Sequence, residues 1–165
     1  MPEPPARHHP SLLSSLAWTR SHVLEAIEDL PDEALKRAHV ASGWTPLDLV
    51  RHLTIDVERY WFRAVMAAEP SAVAFAAGES SGWRLGTPEA YADVVAAYRE
   101  EAAYSDGIIA ALPPDAAPRW DGGAGGRTDL TAVILHVLVD TATHAGHLDI
   151  IREGIDRRQY LIIHP

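Results

Sequence analysis

Apolar residues recur at three- and four-residue intervals in four stretches of about twenty residues, each bounded by proline or glycine, which leaves little but helices to build from. The first stretch begins at Ser11. Leu12, Leu16, Val23, Ile27 and Leu30 form its stripe, and Pro31 stops it. The second opens on Thr45-Pro46-Leu47-Asp48. There Thr45 can cap, Pro46 suits the first helical position, and Asp48 falls three residues after the cap. Its stripe is Leu49, Val50, Leu53, Val57 and Trp61, and it runs to Ala68, before Pro70. Thr87-Pro88-Glu89 repeats the start signal for a third helix from Pro88 to Ala111, with Val94, Val95, Tyr98, Ala102 and Ile109 inward. Thr128 or Asp129 caps the fourth, which runs to Glu153, with Gly154 placed to end it.

The connections read as irregular. Residues 31–43 hold at most a helical turn at Asp32 to Arg37, and residues 70–86 form a loop rich in Ser, Gly and Ala. Pro113, Pro114, Pro118 and Gly122 to Gly126 mark another. The tail Tyr160 to Ile163 has no partner strand in view and is expected to pack as an extended segment. The expected fold is all-α, a four-helix bundle with long loops after the second and third helices and its handedness open. Residues 1–10, with four prolines, read as a flexible arm, and residues 11–165 as a single helical domain.

Composition narrows the function. The 165 residues suit one domain, and 14 Lys+Arg against 23 Asp+Glu give a formal net charge of -9. The longest basic cluster is Arg157-Arg158, so phosphate neutralisation, and with it nucleic-acid binding, is disfavoured. Acidic charge equally disfavours an anionic membrane surface, and no run approaches the ~20 apolar residues of a membrane span. With no cysteine, disulfides and thiolate nucleophiles are excluded, which fits a cytoplasmic location. The N-terminus has no apolar run of the kind a signal peptide needs. The unusual feature is nine histidines in an acidic chain.

Three of them lie in the fourth helix. Its stripe reads Val133, Val137, Asp140, His144, Leu148, Ile151, so Asp140 and His144 fall at positions the pattern gives to the core. A carboxylate buried alone costs several kcal/mol and needs a partner or a metal. Four apart on one face, the two can grip one ion. They can equally form a buried hydrogen-bonded pair, the aspartate orienting the imidazole. His52, flanking the Leu49/Leu53 stripe, is the leading third ligand, and three protein ligands would leave an open position as in catalytic zinc sites. Imidazole plus carboxylate suits zinc, nickel, iron(II) or manganese. Asp56, one turn after His52, either orients it or lies on a solvated face. His136, one turn before Asp140, either looks toward the pocket or, as the better-supported reading, packs in the core or rim, and Trp44, Tyr60 and Trp61 read as core and rim anchors. Trp120 with the following glycines forms either a loose surface loop or a lid. Those glycines follow no strand and precede no Gly-Lys-Ser/Thr, so they are no phosphate loop. His8, His9, His39 and His164 receive no role.

The stretches LLSSLAWTRSHVLEAIEDLPDEAL, GWTPLDLVRHL with ERYWFRAV, and LHVLVDTATHAGHLDIIREGID resemble the DinB-like superfamily over residues 11–157. The closest likeness is to an actinobacterial branch related to mycothiol-dependent maleylpyruvate isomerase. The resemblance implies a four-helix bundle holding one divalent metal, with one ligand a histidine of the second helix. The other two lie four apart on the last long helix, both His in many members and Glu and His in the isomerase. Carried over, the metal ligands are His52, Asp140 and His144, with zinc or nickel the first expectation. This chain departs in having Asp at position 140, one methylene shorter than Glu. His147, three residues after His144, could replace it; otherwise it is an outer or substrate-facing group and the choice for catalytic proton transfer. The family also implies a low-molecular-weight thiol such as mycothiol as cosubstrate, used in transfer or isomerisation on a small-molecule substrate. The competing reading is a non-catalytic metal- or small-ligand-binding helical bundle. A homodimer is compatible with either.

Overall fold

The protein is described here from a computed structural model, in which residues 8–78, 90–122 and 125–160 are described. Among these residues the secondary structure is entirely helical. Helix α1 spans Pro10–Ile27, α2 Asp32–Leu35, α3 Pro46–His52, α4 Pro70–Ala77, α5 Tyr91–Ala111 and α6 Leu130–Asp156. Helix α3 continues without a break into a π-helical segment, Leu53–Met66.

Local chemistry sets most of the boundaries. His9 caps α1, its Nδ1 accepting from the Ser11 N–H at 3.3 Å, and Pro10 occupies the first turn. Residues 8–10 of the expected arm thus lead into the first helix, and residues 1–7 lie outside the described residues. The capping box at α3 is complete. Thr45 Oγ1 accepts from the Asp48 N–H at 3.1 Å, and Asp48 Oδ2 accepts from the Thr45 N–H at 2.9 Å. Asp129 caps α6, accepting from the Ala132 N–H at 2.9 Å.

Several boundaries differ from the sequence reading. The expected loop after the second helix contains α4. Pro70 opens this helix at its first turn instead of only ending the one before, and four alanines in eight residues supply propensity. The chain reaches it through Ala68 in the left-handed region (φ 52°) and a bond from the Glu69 N–H to the Arg63 carbonyl. The described start of α5 is Tyr91, after an extended Ala90. The Thr87-Pro88-Glu89 signal lies outside the described residues. Helix α6 passes through Gly154 to Asp156 and ends on a left-handed Arg157 (φ 67°). Asp156 holds that last turn, accepting from Arg152 Nε at 2.8 Å and from the Arg158 N–H at 3.0 Å. Of the tail, Tyr160 is described and lays its ring 3.6 Å from that of His22 on α1; residues 161–165 are not described.

Helix α1 packs along α6, while the π segment packs against α4, α5 and α6. Leu16, Val23, Ile27, Leu49, Phe62, Tyr98, Val133 and Val137 meet in the core between them. Polar side chains tie the helices together inside this frame. Buried Arg20 of α1 makes two 2.7 Å bonds to fully buried Glu58 of the π segment and a third, also 2.7 Å, to Asp106 of α5. Arg152 of α6 donates to the Ala26 and Glu28 carbonyls at the end of α1. The loop after α5 is docked: the Arg119 and Trp120 N–H groups both bond the Val65 carbonyl, and the Trp120 ring packs on Tyr60. A Cβ at Gly122 would sit 2.6 Å from that ring, so any larger residue there would force the ring to shift. No helix among the described residues is long and apolar enough to cross a membrane.

Candidate metal centre

His52 is the last residue of α3, where the α-helical register gives way to the π segment. In that segment N–H groups reach five residues back, as Ala67 does to Phe62 at 3.0 Å. Most π-helical geometry is a single inserted turn, often at a functional site. Here it spans 14 residues. His52 is 8% exposed, and its Nδ1 lies 2.9 Å from Asp56 Oδ2. Of the two readings for Asp56, the structure shows the one in which it holds His52.

Asp140 and His144 stand one turn apart on α6. They are not core residues, as the stripe suggested; both are half-buried, and Thr141 and Ala145 take the enclosed positions beside them. Val133, Val137, Leu148 and Ile151 of the stripe are buried as expected, and the carboxylate and imidazole between them keep some solvent at the core edge. His144 Nε2 lies 3.3 Å from Asp140 Oδ1, and the His52 and His144 rings meet edge to face at 5.0 Å. One ligand atom each from His52, Asp140 and His144 lies within 4.8 Å of the others. Bonds of about 2.0–2.2 Å to a single ion hold any two ligand atoms within about 4.4 Å. The group is therefore close to the span of one coordination sphere.

The donor set, two imidazoles and one carboxylate, fits a divalent metal ion. Each histidine also has an outer contact on Nδ1, Asp56 for His52 and His147 Nδ1, at 3.4 Å, for His144. Such contacts fix ring orientation and tautomer, leaving Nε2 for the metal. The Asp140 carboxyl is held below the usual carboxylate range. The hydrogen bond with His144 is the main cause, opposed by burial and reinforced by the charges of His144, His52 and His136. It is thus ionised, as a ligand must be. His147 is exposed, its ring 5.3 Å from His144 and 6.0 Å from Trp44. Among the described residues it is a neighbour of the converging group and does not belong to it.

A cavity of about 300 Å³ adjoins the triad through Asp140 and Asp56. Tyr60, Trp61, His136 and Phe75 are among its walls. Trp61 and Tyr60 therefore line this cavity as well as packing against neighbours. His136 turns toward this cavity, its ring 4.6 Å from Trp61 and its Nδ1 2.8 Å from Arg127 Nη2. Burial first, and then the Arg127 charge, hold its pKa below the ordinary imidazole value, while Asp140 pulls the other way. Phe75, Arg127 and the buried His22–Asp149 pair (2.8 Å) had no signal in the sequence reading. Only the histidine count hinted at the last.

A family model described as mycothiol-S-transferase matches residues 11–157, nearly the whole chain. No curated protein matches the sequence significantly.

Proposed function

The chain belongs to the mycothiol-S-transferase family, and from that premise we propose that it is a divalent-metal-dependent enzyme using a low-molecular-weight thiol such as mycothiol in transfer or isomerisation. The observation that supports this reading is the convergence of His52, Asp140 and His144 from two helices far apart in sequence. The four long helices would be the four-helix bundle of DinB-like proteins, with α2 and α4 as additions to it. We place the chemistry in the cytoplasm, on small-molecule substrates and without a nucleic-acid partner, in keeping with a net charge of -9 and no cysteine.

His52, Asp140 and His144 would hold zinc or nickel. When bound, such an ion supplies a Lewis acid and favours the deprotonated form of a thiol or water. The chain's own groups do the rest. Asp56 orients His52 through Nδ1. His147, exposed beside His144, is the group we assign to proton transfer, while its Nδ1 steadies the His144 ring. The cavity under Tyr60 and Trp61 offers a partly dry place for the second substrate.

The test is metal analysis of untagged protein after dialysis, followed by assays of mycothiol consumption against a panel of electrophiles. Retained metal and thiol consumption that His144→Ala abolishes is the expected result. Protein that takes up no zinc or nickel rejects the reading. Protein that keeps its metal but consumes no thiol is a metal- or ligand-binding bundle.

A further inference from the structure

The cavity beside Asp140 has walls from three elements, and their chemistry describes an occupant. Tyr60 and Trp61 meet edge to face at 5.2 Å on the π segment. Helix α4 contributes Phe75, which is 38% exposed, and the small Ala72 and Ala76, whose size keeps the space open. At about 300 Å³ the cavity is at the small end of the ~300–1,000 Å³ typical of ligand sites. Aromatic walls of this kind favour a flat, apolar body.

The polar groups define the rest. The carboxylates of Asp56 and Asp140 border the cavity, and the one cationic wall residue among the described residues, Arg59, is paired through Nε with Glu101 at 3.0 Å. A negatively charged ligand is therefore disfavoured. His136 is held in one tautomer. A guanidinium only donates, so the 2.8 Å contact with Arg127 makes His136 Nδ1 the acceptor and leaves the ring hydrogen on Nε2. Arg127 is itself fixed, its guanidinium 4.6 Å from the Trp61 ring centre. A wall residue of the cavity thus carries a preset N–H donor, one turn from a candidate metal ligand.

We propose that this cavity is the acceptor subsite, binding an uncharged, planar, conjugated carbonyl compound, with its carbonyl oxygen on His136 Nε2–H and its body against Tyr60, Trp61 and Phe75. The acceptor role rests on the thiol-enzyme reading above; the binding of such a compound does not.

trans-Cinnamaldehyde is a suitable probe, titrated calorimetrically into the zinc-treated full chain with no thiol present, with zinc content measured on every sample. Saturable binding to the wild type is expected. Ala76→Trp, which puts an indole into the cavity from half-buried α4, should weaken it at least tenfold. Phe75→Ala, at an exposed position that folding tolerates, should weaken it about 2- to 12-fold by loss of one aromatic contact. His136→Phe should weaken it about 2- to 12-fold by loss of one hydrogen bond, and His136→Gln, which keeps an N–H donor, should recover most of the loss. No saturable binding by wild type, or equal binding by wild type, Ala76→Trp and Phe75→Ala, overturns the assignment. Binding to protein that carries no zinc supports the subsite and removes the metal reading; zinc retained without probe binding does the reverse.

Discussion

Two of the polar clusters among the described residues are built on opposite plans. In one, Arg20 faces Glu58 and Asp106, and a permanent cation meets fixed anions in paired 2.7 Å bonds. Glu58 is fully buried and Arg20 nearly so. Burial opposes the Arg20 charge, but Glu58 and Asp106 more than offset it, so its pKa is raised. In the other, His52, Asp140 and His144 bring lone-pair-bearing atoms together around one point, half-open to solvent, with no permanent cation in the set. In the first cluster the buried guanidinium and its carboxylates already satisfy one another and tie three helices together. The second would be completed by an added cation. What separates them is not the number of charged groups but whether donors and acceptors already match.

The largest effect should come from breaking the complete cluster. Arg20→Ala leaves Glu58 buried without its counter-charge, which costs about 3–5 kcal/mol. At roughly 2–4 °C per kcal/mol for a chain of this size, the melting temperature should fall by about 6–20 °C. Zinc per folded molecule should not change. The double variant Arg20→Met/Glu58→Met should recover much of the loss, because an apolar pair of similar volume replaces a desolvated one. A thermal melt of the three proteins decides it, and a stable Arg20→Ala would erase the contrast drawn here.

Next in size is the gain from metal. A cation that binds only the native state adds RT ln(1 + [L]/Kd), about 2.7 kcal/mol at a hundredfold excess over Kd. His144→Ala and Asp140→Ala should lose this gain while keeping their helical content, since both side chains are half-buried and neither fills the core. His147→Ala should keep it. Loss of the gain in His147→Ala but not in Asp140→Ala would move the third ligand to His147. The gain should shrink in acid, because the imidazoles must be neutral to coordinate.

A smaller effect should follow from the outer contact. Asp56→Ala leaves all three ligand side chains in place but frees the His52 ring, which should weaken zinc binding about 10- to 100-fold. A competition titration against a chelator measures this. Unchanged affinity would make the 2.9 Å contact incidental.

The smallest concerns His136, whose pKa is lowered from 6.5 by burial and then by Arg127. Its share of stability is complete above the unfolded value, where the ring is neutral in both states. That share is lost as pH falls through the lower folded value, because the unfolded chain then binds the proton more readily. In metal-free protein, His136→Phe should therefore lessen the decline of melting temperature from about pH 7 to 5, by no more than about 2 °C. A steeper decline in the variant would contradict the burial of a neutral ring.

What this chain settles by itself is what acts across a few residues. The Thr45-Pro46-Asp48 start, the Asp129 cap and the apolar period of α1 and α6 are local, and each appears in the fold where the residues put it. The i, i+4 relation of Asp140 and His144 is equally local, and so is the one-turn reach from Asp56 to His52. The rest depended on packing. Pro70 can end one helix or begin another, and only the closing of α4 on the π segment selects the second. The shift from α to π register after His52 leaves no mark in the sequence, since the same N–H groups can reach four or five residues back and side-chain packing decides between them. The bonds of Arg20 exist only once Glu58 and Asp106 arrive from two other helices. Periodicity placed Asp140 in the core, but packing gave the enclosed place to Thr141 and left the carboxylate at the edge, in reach of His52. Caps and periods are fixed by bonds within one turn, whereas a site shared by two helices exists only once the chain between them has folded.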